Sequence, residues 1–434
     1  MNINKKKVAF HTLGCKLNFA ETSTISRSFP EEKFERVPAN SKADIYVINT
    51  CSVTDAAEKK CRQAIKKFIN LSPGAFIAAV GCYAQLRPQE ISSIPGVDLV
   101  LGTNEKFDIA DYITDFKKRP KVEIHSCELS SSDGFNSSYS IGDRTRSFLK
   151  VQDGCDYGCA YCTIPLARGR SRNAEISSIL REASAIAERG VKEIVLTGVN
   201  IGDFGKSTGE SFTALMKWLI KVEGIERFRI SSIEPNLLTE ELIEMTVKNE
   251  KILPHFHIPL QSGSDKILGL MRRRYTRDIF AARVKMVREK LPLAGIGADV
   301  IVGFPGESGS DFEDTYTFLE EMPLSYLHVF TFSERPGTLA EILPSKVSYR
   351  EKEIRSKRLI SLSENKNLEF NKSNIGQITN VLFEKTRSEG FITGFTSNYI
   401  RVEHPWQSTL AGLIKEVKLD HISQTGRMSI ELMN

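Results

Sequence analysis

Along the first 125 residues, short apolar runs alternate with stretches whose apolar positions recur every three or four residues. Segments 8–13, 45–48, 76–80 and 97–101 have strand length, whereas 18–29 and the segment from Asp55 onward read as helices. The second helix carries Ala57, Cys61, Ile65 and Phe68 on one stripe. Continuous apolar strands between helices predict a parallel sheet covered on both faces. From 126 to 145 the periodicity dissolves into Ser130-Ser131-Ser132-Asp133-Gly134, which reads as a linker. From 146 to 370 the alternation returns. Strands are expected at 148–151, 194–197, 228–233, 256–260, 298–302 and 327–332, with helices at 176–189, 213–222, 277–291 and 311–321. Six such units are too few for a closed eight-unit barrel, so an open, partial barrel is expected. From 371 to 434, short strands separated by Gly, Asn, Ser and Pro predict a small all-β barrel. The fold class is therefore α/β in four stretches: a parallel-sheet domain (1–125), a linker (126–145), a partial barrel (146–370) and a C-terminal β-barrel (371–434).

A chain of 434 residues suits this division into several cores. Its 41% hydrophobic and 26% charged residues are ordinary for a water-soluble protein. The start, Met1-Asn2-Ile3-Asn4-Lys5-Lys6-Lys7, is basic but lacks the apolar stretch of a signal peptide. No window reaches the roughly eighteen apolar residues of a membrane span. A cytoplasmic protein without membrane association is expected. In that reducing compartment eight cysteines point to metal or redox chemistry, not to disulfides. The net charge of +5 is compatible with a polyanionic partner without identifying one.

Cys155, Cys159 and Cys162 lie in GCDYGCAYC, a C-x3-C-x2-C spacing directly after the first strand of the second block. Three thiolates so close together can share one metal centre, but a structural zinc site needs four protein ligands. No fourth cysteine or histidine is near. Three cysteines on a [4Fe–4S] cluster leave one iron free for a small molecule.

Cys15, Cys51 and Cys82 are far apart in sequence, yet each directly follows one of the first three strands. In an open parallel sheet, sites form beyond the carboxyl ends of strands, so the three can converge there. Gly14 and Gly81 allow close backbone approach beside them. Position alone also fits three unrelated small buried residues, because free cysteine packs as a small hydrophobe. Cys61, on its helix stripe, and Cys127, at the linker edge, read as bystanders.

The central motif, with Tyr161 in its aromatic position, resembles the radical S-adenosylmethionine superfamily. That resemblance implies a [4Fe–4S] cluster on Cys155, Cys159 and Cys162, whose open iron binds S-adenosylmethionine. Tyr161, Gly198, Gln261 and Gly303 are the candidate cofactor contacts. Together with TLGCKLN, INTCSV, GCYAQ, ARGRSR, HFHIPLQSGSD and VIVGFPGES, the chain is similar over nearly its whole length to the methylthiotransferases. Membership implies a second [4Fe–4S] cluster on Cys15, Cys51 and Cys82 and a C-terminal RNA-binding TRAM domain. It also implies methylthio transfer to carbon 2 of an adenine in tRNA, at the anticodon stem-loop. The reducing electron would come from a donor such as flavodoxin or ferredoxin. The wording GCKLNFAET resembles the branch acting on N6-threonylcarbamoyladenosine; the isopentenyladenosine branch more often reads GCQMN and the ribosomal-protein branch GCPKN. Tyr157-Gly158 and Ala160 depart slightly from the usual central wording. A zinc-stabilised RNA-binding protein without radical chemistry is the alternative of a different class.

Three basic clusters are candidates for phosphate: Arg168, Arg170 and Arg172; Arg272, Arg273 and Arg274; and the helix from Tyr349 with Arg350, Lys352, Arg355, Lys357 and Arg358. Arg168 or Arg170 is the expected partner of the threonylcarbamoyl carboxylate. In the last domain Tyr399 and Trp406 are the aromatic candidates for RNA.

Overall fold

The computed structural model describes residues 5–113, 116–129, 134–142 and 144–433. Ser130 to Asp133, the heart of the expected linker, lie outside the described residues.

The first sheet comprises β1 (Lys6–Thr12), β2 (Phe34–Val37), β3 (Ile45–Thr50), β4 (Phe76–Gly81), β5 (Leu99–Leu101) and β6 (Glu123–His125). Its order is β2-β1-β3-β4-β5-β6 and all pairs are parallel. Every residue of β3 and β4 is buried. Alternation sends Tyr46, Ile48, Ile77 and Ala79 to one apolar layer and Ile45, Val47, Phe76 and Ala78 to the other. That two-sided burial explains the uninterrupted apolar runs. Helices α1 (Lys16–Arg27) and α2 (Asp55–Leu71) follow β1 and β3. Thr54 starts α2 by accepting from the Ala57 N–H.

The second block contains β7 (Ser138–Tyr139), β8 (Ser147–Lys150), β9 (Glu193–Thr197), β10 (Arg227–Ile230), β11 (His255–His257), β12 (Gly295–Val302) and β13 (Tyr326–Thr331). The strands form a β10-β9-β8-β7 sheet and a β11-β12-β13 sheet. Parallel bridges at Phe228–Ile252 and Ser232–His257 join the two, leaving a curved, open barrel. Its outward positions, such as Ile194, Phe228, Phe256 and Val300, pack under the helices. Several inward positions are polar, and there the continuous-strand expectation missed a second pattern: Arg229, His257, Asp299 and His328 alternate with those apolar residues.

The C-terminal strands β14 (Ile378–Ser388), β15 (Phe391–Thr396), β16 (Arg401–Pro405), β17 (Ile414–Ile422) and β18 (Met428–Leu432) close in the order β14-β15-β16-β18-β17. Among the described residues, no helix is long and apolar enough to cross a membrane.

Two polar joints hold the first sheet on the open barrel. Glu21 of α1, fully buried, accepts from Arg168 at 2.9 and 3.0 Å, from Lys106 at 2.6 Å and from Lys150 at 3.2 Å. Arg335, beyond β13, donates to Asp55 at 2.7 Å, to Ser52 Oγ at 2.8 Å and to Glu58. The loop carrying Cys51 is thereby tied to the rim of the barrel.

Candidate metal centres and the cavity between them

The three early cysteines meet at the carboxyl edge of the first sheet. Gly14 has φ +102°, and a Cβ there would lie 2.7 Å from both Cβ and Sγ of Cys51. The Cys15 and Cys51 loops therefore touch through a position only glycine fills. Gly81 (φ +96°) precedes Cys82 in the same way, its missing Cβ 2.3 Å from Asn49 Oδ1. Asn18 braces this edge by donating to the carbonyls of Leu13 at 2.7 Å and Thr50 at 3.1 Å. Cys61 stands directly behind: its sulfur accepts from the Cys51 N–H at 3.3 Å. The helix-stripe reading of Cys61 holds, though it backs a ligand loop.

The central loop follows β8. Gln152 supports it from below, donating to the Asp153 and Gly154 carbonyls at 2.9 and 2.7 Å. Gly198 leaves room for that side chain, since a Cβ would stand 2.9 Å from Gln152 Oε1. The Tyr157 and Ile164 N–H groups donate to Cys155 and Cys162 at 3.4 and 3.5 Å. Arg273 Nη1 donates to Cys159 Sγ at 3.0 Å while its other nitrogen pairs with Glu234. Donors aimed at sulfur suit thiolates that carry charge.

Both triads fit iron–sulfur clusters. Among the described residues, the ligand atoms of His257, Asp299 and His328 gather within 4.8 Å of one another, and neither cysteine triad does. A single zinc ion bound at about 2.3 Å would draw its sulfurs closer than that. A four-iron cube spreads its thiolates over separate corners. Burial pushes Cys51 and Cys162 up to about 12 and Cys155 up to about 11. The metal-free thiols are therefore protonated at neutral pH, and loading must release those protons.

A cavity of about 250 Å³ opens beside the loops of Cys51 and Cys162. Val53 and Thr54, just past Cys51, share its wall with Tyr161, Gln261, Asp299, Ile301 and Phe330. Tyr161 accepts from Arg273 at 3.3 Å and meets Phe304 edge-on. Gln261 adopts φ +71° and bridges to β12. Gly303 (φ +76°) leaves space that the Lys352 stem fills, with a missing Cβ 2.3 Å from Cγ.

Asp299 accepts from His257 at 2.8 Å and lies 3.3 Å from His328. Burial alone would raise Asp299, but the two histidines hold it well below the usual carboxylate range. Lys16, the exposed residue after Cys15, lies within charge-interaction range of Asp299. Its crowded surroundings, with Arg146 and Arg229, push it down to about 8.

Several basic expectations need correction. Arg168 is 1% exposed and fully engaged, by Glu21, by Asp153 at 3.0 Å and by Asn18 at 2.8 Å. Both of its terminal nitrogens serve the joint between domains, and burial keeps it from a substrate carboxylate. Arg172 is braced against the Arg168 carbonyl at 2.5 Å, while Arg170 remains exposed. Arg273 turns inward to sulfur, and Arg274 lies over the Tyr157 ring at 4.0 Å. Arg355 is buried against Glu307 at 2.7 Å and Arg358 is paired with Glu313. Tyr399 stacks between His255 at 4.3 Å and Phe395 at 4.8 Å, sealing the C-terminal barrel to the open one. Trp406 is half-buried against the C-terminal core.

The residues missed in the sequence are Glu234, His257, Asp299 and His328. For His257 the signal was available: polar residues at every second position of RFRI and HFHI mark a strand face turned to a site.

Residues 7–102 match the family described as uncharacterized protein family UPF0004, and residues 149–319 match the radical SAM superfamily. The chain is 39% identical to the threonylcarbamoyladenosine tRNA methylthiotransferase MtaB of Bacillus subtilis, covering 95% of this chain and 93% of the relative. It is 38% identical to the MtaB of Aquifex aeolicus, over 94% and 99%. The tRNA-2-methylthio-N(6)-dimethylallyladenosine synthase of Syntrophus aciditrophicus is 33% identical, over 88% and 85%. Among solved structures, the radical S-adenosylmethionine methyltransferase TsrM of Kitasatospora setae superimposes with a TM-score of 0.57 at 13% identity. It covers 78% of this chain and 74% of that one, a likeness of fold alone.

Proposed function

The chain belongs to the radical S-adenosylmethionine methylthiotransferases, and from that premise we propose that it converts N6-threonylcarbamoyladenosine in the anticodon stem-loop of tRNA to its 2-methylthio derivative. The observation that carries this reading is one cavity walled by residues beside both triads, Val53 and Thr54 after Cys51 and Tyr161 before Cys162. Bound there, S-adenosylmethionine and [4Fe–4S] clusters supply the radical and the sulfur chemistry.

The chain's own residues hold and shape. Cys155, Cys159 and Cys162 hold the central cluster, and Cys15, Cys51 and Cys82 hold a second. Arg273 donates to Cys159 and is itself held by Glu234. Tyr161 and Gln261 wall the space for S-adenosylmethionine and the adenine; Gly198 and Gly303 act behind that wall, by admitting Gln152 and Lys352. Of the basic candidates, Arg170, Arg272 and Arg350 are exposed and available to the RNA backbone. The enzyme works in the cytoplasm with a small one-electron donor such as ferredoxin or flavodoxin. The ribosomal-protein and isopentenyladenosine alternatives lose ground because four threonylcarbamoyladenosine enzymes match at 35–39% identity. Each triad offers three thiolates where a structural zinc site takes four ligands, which argues against the zinc alternative.

Reconstituted protein, reductant and S-adenosylmethionine are to be incubated with stem-loops bearing either threonylcarbamoyladenosine or isopentenyladenosine. Mass spectrometry of the digested nucleosides is expected to find the methylthio product of the first substrate only. Product from the second alone refutes the assignment.

A further inference from the structure

We propose that Lys16 is the specificity-determining residue that pairs with the carboxylate of the threonylcarbamoyl group, an inference that rests on the substrate reading above. With Arg168 locked inside the joint, the substrate's negative charge requires another cation near the cavity.

Arg335, the cation in the cavity wall, is held by Asp55 and Glu58. Of the three cations whose charges interact beside Cys15, Lys16, Arg146 and Arg229, two are already satisfied. Arg146 lies 4.0 Å from Glu193 and 3.9 Å from Glu384, with its guanidinium over the Phe395 ring. Arg229 pairs with Glu193 at 2.9 Å, donates to the carbonyls of Thr396 and Ser397 at 3.2 Å, and stacks on Tyr399. Lys16 has neither a hydrogen bond nor an ion pair among the described residues, and its side chain is solvent-accessible. The acid within its range, Asp299, is taken by His257 and His328. Lys16 also begins α1, whose first turn contains no acidic residue. A carboxylate there meets a lysine and the positive end of a helix together.

The chemistry of adenine sets where such a residue must stand. Carbon 2 and carbon 6 flank the same ring nitrogen, so the N6 substituent lies one ring edge from the carbon that receives sulfur. The residue reading that substituent must therefore neighbour the sulfur-delivering centre. Lys16 is one residue from Cys15, with a four-carbon stem to span the gap. An uncharged N6 substituent would leave this ammonium unanswered, so the same residue selects for the acid.

The test compares two substrates across three enzymes. Stem-loops carry threonylcarbamoyladenosine or its methyl ester, and enzymes are wild type, Lys16→Met and Lys16→Arg. Binding is read by fluorescence anisotropy on iron-loaded protein, and turnover by product mass spectrometry. Esterification is expected to weaken binding and kcat/KM of the wild type by roughly tenfold to a hundredfold, the range of a charged hydrogen bond. Lys16→Met is expected to treat acid and ester alike, and Lys16→Arg to retain most of the preference. Because the ratio is taken within each protein, partial misfolding cancels. A Met variant that prefers the acid as strongly as wild type overturns the inference while leaving the methylthiotransferase reading intact. A wild type inert toward both substrates, with its clusters loaded, removes that reading and this inference with it.

Discussion

Single atoms around the sulfurs decide how each cluster site works. Arg273 brings a cationic N–H to 3.0 Å from Cys159 Sγ, and Glu234 keeps the guanidinium from swinging away. Hydrogen bonds to cluster sulfurs stabilise the reduced, more negative state. Arg273→Met is therefore expected to shift the central cluster to a more negative potential and slow reductive cleavage of S-adenosylmethionine. An EPR-monitored redox titration checks this; an unchanged potential contradicts it. At the other site Gly14 admits no side chain, because a Cβ would overlap Cys51. Gly14→Ala is expected to cost about half the bound iron while leaving the circular dichroism spectrum unchanged. These residues differ in how readable they were. Cys155, Cys159 and Cys162 stand in one local motif, and Cys15, Cys51 and Cys82 could be aligned by their strand-end positions. Arg273 and Arg168 look in sequence like any basic cluster, and only burial separates them from Arg170.

At the scale of elements, α1 is the hinge pin of the molecule. It follows Cys15, packs against β7 and β8, and buries Glu21 among Arg168, Lys106 and Lys150. Burial alone would raise Glu21, but the three cations hold it well below the usual carboxylate range. A depressed carboxyl stabilises the fold above its unfolded value of about 4.3 and loses that contribution as pH falls through the folded value. Wild-type stability is thus expected to drop below about pH 4, and Glu21→Gln to flatten that limb. Near neutral pH the same substitution leaves buried cations unpaired, at a cost of about 3–5 kcal/mol. Urea unfolding at pH 7 and pH 3.5 measures both effects; equal stability of the two proteins at pH 7 contradicts the account. The strands and helices themselves were largely legible, because apolar periodicity and caps such as Thr54 are local. Strands β2, β6 and β7 escaped notice: they are short edge or linker strands, and pairing with neighbours defines them more than composition does.

For the whole molecule, the architecture brings two cysteine triads, the proposed cluster sites, to loops that share one cavity wall. The first sheet supplies one triad, the open barrel the other, and the Glu21 and Arg335 joints fix their separation. That relation was invisible in the sequence, since Glu21–Arg168 and Asp55–Arg335 connect residues with 147 and 280 positions between their numbers. The polar inner face of the barrel escaped for a similar reason, being interleaved with the apolar face that packs under the helices. Both joints must hold for sulfur and radical chemistry to meet at one adenine.

Whether two clusters serve this cavity is decided by counting iron. Protein purified without oxygen and reconstituted with iron and sulfide is compared with a Cys155/Cys159/Cys162→Ala triple variant. About eight irons per chain falling to about four in the variant is the predicted result, with Cys15, Cys51 and Cys82 holding the remainder. About four falling to none would contradict it, because the early cysteines would then hold no cluster and the sulfur-donating half of the cavity would be missing.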